Sequence, residues 1–360
     1  MGDPGAFIVI GENIHATRTI ARRGVLATPA GDGVPFTDRA GQPRLMPIVP
    51  QIAAKTEYGQ GKVKHVLNAL LLGLAGDGLA PAALAGRVEA DAAASGCEYL
   101  LVGARRQQDA GAAYLDVNID EIADDEALQI DAMTWLVRLL EPSLAVPLSL
   151  DSSSSRVLEA GCRASSGPSG PVLLNSASSE RLDVLELAAE MGSPVVVIAS
   201  GSERLPADAA GRLANARFMI ERAASFGIPG NRLHVDLLVV PVGVAPQAGT
   251  AFLEAARRLR ESNGSTVHIG GGLSNASFGL PNRRLLNEVF LALAIEAGVD
   301  SGIIDPLTTR PARARTLDRD AESFRLAVNA LTGADAYALE YLTAHRSGRL
   351  VVGPALEAVQ

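Results

Sequence analysis

PLSLDSSSSRVLEAGCRASSGPSGPVLLN, residues 147–175, decides the fold. Its two apolar runs, PLSLD closing on Asp151 and PVLLN closing on Asn175, end 24 residues apart. That interval holds one helix with its connections, so the stretch reads as a strand-helix-strand step with a polar side chain at the end of each strand. Six further runs repeat the device. IVIGEN closes on Glu12 and Asn13, YLDVN on Asp116 and Asn118, VVVIAS on Ser200, LHVD on Asp236, HIGGGLSN on Asn275 and SGIID on Asp305.

From Asp116 to Asp305 the strand ends follow at intervals of 35, 24, 25, 36, 39 and 30 residues, each the size of one βα unit. Strands this rich in Val, Ile and Leu are buried on both faces, and eight of them predict an α/β fold, a (β/α)8 TIM barrel with its reactive groups at the carboxyl ends of the strands. Nothing resembling G-x-G-x-x-G follows the first strand, which argues against an open dinucleotide-binding sheet. Helices are expected to close near Gly111, Gly192, Gly227 and Gly298, because glycine accepts the left-handed conformation that ends a helix. After Asn282, residues Leu286, Val289, Phe290 and Leu293 recur at helical spacing and predict a face packed on the sheet.

Between Glu12 and Asp116 lie 104 residues, about seventy more than one unit needs. The excess, taken as residues 19–85, is rich in Pro, Gly and Asp and reads as an insertion at the barrel mouth, either a lid or partner-docking surface or structural padding. Residues 1–360 otherwise read as a single domain.

The 360 residues are 48% hydrophobic and 20% charged, enough for a sizeable core. A net charge of -8 argues against a general nucleic-acid surface. Cys97 and Cys162 match no metal spacing and are expected to be buried thiols in a cytoplasmic protein. The start lacks a basic export region, and Gly and Asp interrupt LNALLLGLAGDGLAPAAL, so no membrane association is expected.

Asp151, Asn175 and Asp236 close three different strands and converge in a barrel. Carboxylates that accept paired N–H groups, beside an amide that both donates and accepts, suit a flat polar heterocycle such as an amino-pyrimidinone. Asp and Asn also suit Mg²⁺. The mixture of carboxylates with amides, and histidines without ligand spacing, favours the heterocycle and no metal. A single such residue is more often a cap for the following loop; a ring of them is harder to explain that way.

The segments IGENIHATR, AGAAYLDVNID, DAMTWLV, PLSLDSSSSRVLEAG, PVLLNSASSE and GLSNASFGLPNRRLLNEVFLALAIEAGVDSGIIDP, in this order, resemble the pterin-binding methyltransferases. The likeness is to methyltetrahydrofolate:corrinoid protein methyltransferases and the folate module of cobalamin-dependent methionine synthase, over residues 6–18 and about 98–335. It implies a barrel that holds tetrahydrofolate or methyltetrahydrofolate and moves a methyl group between N5 and the cobalt of a corrinoid (cobalamin), in a demethylation or one-carbon pathway. By this resemblance Glu12, Asp116, Asn118, Asp151, Asn175 and Asp236 bind the pterin, while Asn275 in the GLSN loop assists at N5, with Asp151 and Asn275 the catalytic pair. No D-x-H-x-x-G corrinoid motif is present, so the cobalt arrives on a corrinoid protein or free. A homodimer is also implied.

Two positions depart from the family pattern. His15 stands where relatives commonly have asparagine, and Phe278 where a polar residue is frequent. With Ser200 and Asp305 they are candidate mouth contacts. The nearest rival, dihydropteroate synthase, typically carries a lysine in a Ser-Arg-Lys context at its seventh strand, which GLSNAS lacks. A non-catalytic pterin-binding barrel would tolerate loss of Asn275, so its presence favours an enzyme.

Overall fold

The computed structural model describes residues 6–21, 24–28, 31–49, 62–79, 81, 84, 86–201 and 205–350. In chain order the strands are β1 (Ile8–His15), β2 (Ile20–Ala21), β3 (Leu26–Thr28), β4 (Gly31–Thr37), β5 (Pro43–Pro47), β6 (Lys62–Val63), β7 (Tyr114–Asn118), β8 (Leu148–Asp151), β9 (Leu173–Ala177), β10 (Val195–Ile198), β11 (Leu233–Asp236), β12 (His268–Gly270) and β13 (Ser301–Ile304). The helices are α1 (His65–Gly76), α2 (Ala90–Asp109), α3 (Glu126–Leu140), α4 (Ser155–Ala164), α5 (Asp183–Met191), α6 (Ala209–Ser225), α7 (Ala248–Asn263), α8 (Arg283–Glu296), α9 (Pro311–Ala314), α10 (Glu322–Thr332) and α11 (Leu339–Arg346).

All eight apolar runs of the sequence are strands of one sheet, ordered β12-β11-β10-β9-β8-β7-β1-β13. The two ends of that order meet, because Gly272 bridges Ile303 in parallel and Asp300 N–H donates to the carbonyl of Ile269. Parallel neighbours joined by helices, with ends that meet, make the fold a (β/α)8 barrel.

Local chemistry explains the boundaries. Asp125, Ser154 and Asp208 each accept a hydrogen bond from a backbone N–H in the first turn of α3, α4 and α6. Gly192 closes α5 at φ 65°. Along α8, Leu286, Val289 and Phe290 are buried, whereas Leu293 is only half-buried, so the apolar stripe is shorter at its C-terminal end than the spacing predicts.

Contacts divide the chain into two compact units, residues 1–10 with 176–360, and residues 11–175. In the second unit, the described part of the 19–85 stretch carries an antiparallel pair β2-β6, a three-stranded sheet β3-β4-β5, and helix α1. That helix is core: Val66, Leu67, Ala69, Leu70, Leu72 and Leu74 are buried. It packs closely on α2, where a Cβ at Gly96 would lie 2.7 Å from the carbonyl oxygen of Ala69. Cys162 is buried as expected, but Cys97 is only half-buried, since its place on α2 leaves part of the side chain at the surface. Among the described residues no helix is long and apolar enough to cross a membrane.

Candidate functional site

In the unit 11–175, strand register assembles the polar set. Asn118 pairs with Asp151 and Asp116 with Ser149 between β7 and β8, and Asp151 pairs with Asn175 between β8 and β9. Side chains two apart on a strand share a face. Asn118, Asp151 and Asn175 therefore form one row at the carboxyl ends, with Asp116 and Ser149 a layer beneath.

Hydrogen bonds lock the two layers. Asn118 Nδ2 donates to Asp151 Oδ2 at 3.1 Å, and its Oδ1 accepts from the Asp120 N–H at 3.1 Å. Beneath them, Asp116 Oδ1 accepts from Ser149 Oγ at 2.6 Å and from Asn175 Nδ2 at 3.2 Å. Asp116 is 3% exposed. Burial, then the charge of Asp151, pushes its carboxyl up to about 8, against the opposing effect of Ser149, Asn175 and His15. At neutral pH Asp116 thus favours its protonated form.

β1 contributes His15. The Thr17 backbone N–H donates to His15 Nδ1 at 3.3 Å, so that nitrogen accepts and Nε2 carries the hydrogen of the neutral ring. Nε2 faces Asp151 Oδ2 at 3.5 Å. These side chains are 26% and 28% exposed, so a ligand can reach both. Burial alone would lower the histidine's pKa; its hydrogen bond to Asp151 and the charges of Asp151, Asp116 and Glu12 raise it above the ordinary value. Glu12 is paired with Arg18 at 3.3 Å, and Arg18 also donates to Asn13 Oδ1. Gln107 is fully buried on α2 and accepts from the Asn13 N–H at 2.9 Å, which fixes the end of β1.

Arg18, Ser149 and Gln107 were not among the residues expected from sequence. Ser149 was signalled by its place two residues before Asp151 on the same strand face, and Arg18 by its position in IGENIHATR. Gln107 lies on a helix 94 residues from its partner, and local sequence carries no signal for it.

In the unit of residues 1–10 and 176–360, Asp236 ends β11 and is half-buried. Burial pushes its carboxyl up to about 6, although the Leu238 N–H, donating to Oδ1 at 2.7 Å, opposes the shift. A Cβ at Gly271 would stand 2.9 Å from that oxygen, so glycine is what keeps the carboxylate uncrowded. Asn275 is exposed on a 3-10 turn, Leu273–Ser277, and among the described residues its side-chain amide has no partner. Phe278 is 62% exposed, with the Arg283 guanidinium 5.8 Å from its ring centroid. Ser200 is half-buried just beyond β10. Asp305 accepts from the Leu307 N–H at 3.0 Å, and its carbonyl accepts from Thr308 and Thr309, so it caps the turn after β13. Among the described residues no group of three or more His, Cys, Asp or Glu side chains is placed to hold a metal ion.

The chain is 28% identical over 256 residues to a methylcorrinoid:tetrahydrofolate methyltransferase of Eubacterium limosum, covering 69% of this chain and 86% of that protein. It is 30% identical over 216 residues to methionine synthase of Mycobacterium tuberculosis, covering 56% of this chain but only 18% of that much longer protein. Among solved structures, dihydropteroate synthase of Yersinia pestis with a pterine-sulfa conjugate aligns over 70% of this chain and 89% of its own, at 20% identity and a TM-score of 0.47. The model of the pterin binding enzyme family matches residues 92–305, more than half of the sequence, and the chain belongs to that family.

Proposed function

We propose that this protein is a methyltransferase that moves a methyl group between N5 of tetrahydrofolate and the cobalt of a corrinoid carried by a partner protein or free in solution. The observation that carries the reading is the row of Asn118, Asp151 and Asn175 at three neighbouring strand ends, backed by a buried Asp116. This donor set fits an amino-pyrimidinone edge: Asp151 accepts N–H groups, and the amides offer both a donor and an acceptor. The likeness to a methylcorrinoid:tetrahydrofolate methyltransferase supports the reaction class. In this reading the chain is one pterin-binding domain interrupted by the 19–85 insertion, and it works as a homodimer.

The remaining roles follow from the chemistry. Glu12, Asp116, Asn118, Asp151, Asn175 and Asp236 hold and orient the pterin, and His15, Ser200, Phe278 and Asp305 are its further contacts. N5 is a poor leaving group unless it gains positive character as its bond to the methyl breaks. Asn275, an amide and hence no useful acid, stabilises that charge by hydrogen bonding and holds a solvent proton there. Cobalt(I) in a corrinoid supplies a strong nucleophile. Orientation and exclusion of water are therefore the protein's own share, and no covalent nucleophile from the chain is required.

The test is anaerobic absorbance of cobalt(I) cobalamin mixed with methyltetrahydrofolate and the protein. Loss of the cobalt(I) band with growth of methylcobalamin, or the reverse from methylcobalamin and tetrahydrofolate, is the expected result. Folate binding without conversion in either direction, with corrinoid proteins also supplied, would sink the methyltransferase reading and leave a pterin-binding barrel.

A further inference from the structure

Arg212 on α6 is 1% exposed, and among the described residues its guanidinium donates its hydrogen bonds to backbone carbonyls, with the charge of Asp208 near enough to favour the cation. Nε donates to the carbonyl of Leu237 at 2.9 Å, Nη2 to that of Leu238 at 3.4 Å, and Nη1 to that of Asp208 at 3.2 Å. Burying a guanidinium is costly, and a cation spent on carbonyls marks a backbone that must be held. The backbone in question is unusual. Leu238 sits at φ 62°, a left-handed conformation that a leucine rarely adopts and that persists only when its surroundings enforce it. In that conformation its N–H reaches back to Asp236 Oδ1 at 2.7 Å.

We infer that Arg212 is a positioning residue for Asp236: by gripping the Leu237 and Leu238 carbonyls it enforces the strained turn whose N–H orients the carboxylate toward its ligand. The inference rests on the proposed pterin-binding role of Asp236 for its functional consequence, but the link from Arg212 to the carboxylate is a property of the protein by itself. Asp236 keeps one oxygen for the Leu238 N–H and the other for the ring N–H groups of a pterin. Gly271, where a Cβ would stand 2.9 Å from the oxygen that takes the Leu238 N–H, leaves that hydrogen bond uncrowded. His234, two residues earlier on the same strand face, bonds to Ser301 at 2.8 Å and is pushed down to about 3 by burial and by His268, so it adds no charge near neutral pH.

Two measurements on the full chain separate the parts of this inference. The first is a carboxyl-carbon NMR titration of Asp236 without ligand, in wild type, Arg212→Lys and Arg212→Met. The Leu238 N–H favours the charged carboxylate, so losing the grip moves the Asp236 midpoint upward from about 6, by a larger step in Arg212→Met than in Arg212→Lys. A role confined to packing would lower stability and leave the midpoint in place. The second is tetrahydrofolate binding by calorimetry across the same pH range. The expected result is roughly tenfold weaker binding in Arg212→Met and about threefold weaker in Arg212→Lys, where an ammonium holds one carbonyl instead of two. If Arg212→Met does not fold, Arg212→Lys carries both measurements. An Asp236 midpoint that stays at the wild-type value in the folded variants overturns the inference, whatever the folate data show. A wild type that binds no folate overturns the proposed function and leaves the titration to decide on Arg212.

Discussion

His15 Nε2 stands 3.5 Å from Asp151 Oδ2, with His15 Nδ1 already accepting the Thr17 N–H, so the ring's one free direction is toward the carboxylate. The pair places an ionisable group where an asparagine would have given only a neutral amide. Three acidic side chains, Asp151, Asp116 and Glu12, raise the histidine's pKa against the effect of burial. A histidine whose folded pKa is raised contributes stability that is fully present below its unfolded value of 6.5 and is lost as pH rises through the folded value. His15→Asn should therefore melt below wild type at pH 5.5, with the gap closing by pH 8.5. Melting temperatures at three pH values check this; a gap that does not change with pH would remove the charge pairing.

Asp116 predicts the opposite kind of mutant. Its carboxyl is pushed up to about 8, so folding favours the protonated form, and that preference is lost as pH rises from the unfolded value of 3.8 through the folded one. Asparagine copies the neutral acid in shape and keeps an oxygen for Ser149 and Asn175. Asp116→Asn should match wild type within a few degrees at pH 4 and be the more stable protein at pH 9. Thermal melts at the two values give the comparison, and a mutant equally destabilised at both would show that Asp116 is buried as a carboxylate.

These relationships differ in how visible they were in the sequence. The eight strands were legible because a parallel barrel strand is apolar on both faces and then stops on a polar group, a pattern contained within five or six residues. Asn118, Asp151 and Asn175 came with it, since strand ends are where such residues collect. Asp305 closes its run by the same rule, but that the loop after β13 turns back on it through the Leu307, Thr308 and Thr309 N–H groups depends on backbone beyond the strand. The 19–85 stretch was hardest. Helix α1 is a buried helix with apolar residues on nearly every side, so it offers no periodic stripe, and its burial depends on close approach to Gly96 of α2. Arg212 and Gln107 were invisible for another reason: their partners are carbonyls and N–H groups far along the chain.

The helical layer allows a direct test of the packing. Gly249 lies in the first turn of α7, and a Cβ there would come within 1.9 Å of the carbonyl oxygen of Leu331 at the end of α10. Backbone cannot yield as a flexible side chain can, and Thr250 Oγ1 pins the neighbouring Thr332 carbonyl at 2.7 Å. Gly249→Ala should cost about 1–3 kcal/mol, the range for overpacking a close contact. Denaturant unfolding with an unchanged midpoint would mean that the two helices separate more easily than this contact implies.

Asn275 offers the sharpest separation between binding and chemistry. Its side chain is exposed and has no partner among the described residues, so truncation removes nothing the fold uses. If Asn275 only helped to hold the pterin, Asn275→Ala would weaken binding and transfer in proportion. A hydrogen bond that strengthens as N5 gains positive character behaves differently, because its loss is felt mainly in the transition state. Asn275→Ala should keep tetrahydrofolate affinity within a few-fold of wild type while methyl transfer to cobalt(I) falls about 100-fold, the scale for one such hydrogen bond. Calorimetry gives the first quantity and single-turnover absorbance the second. Transfer at the wild-type rate would take Asn275 out of the chemistry, and parallel losses in both would make it a binding residue.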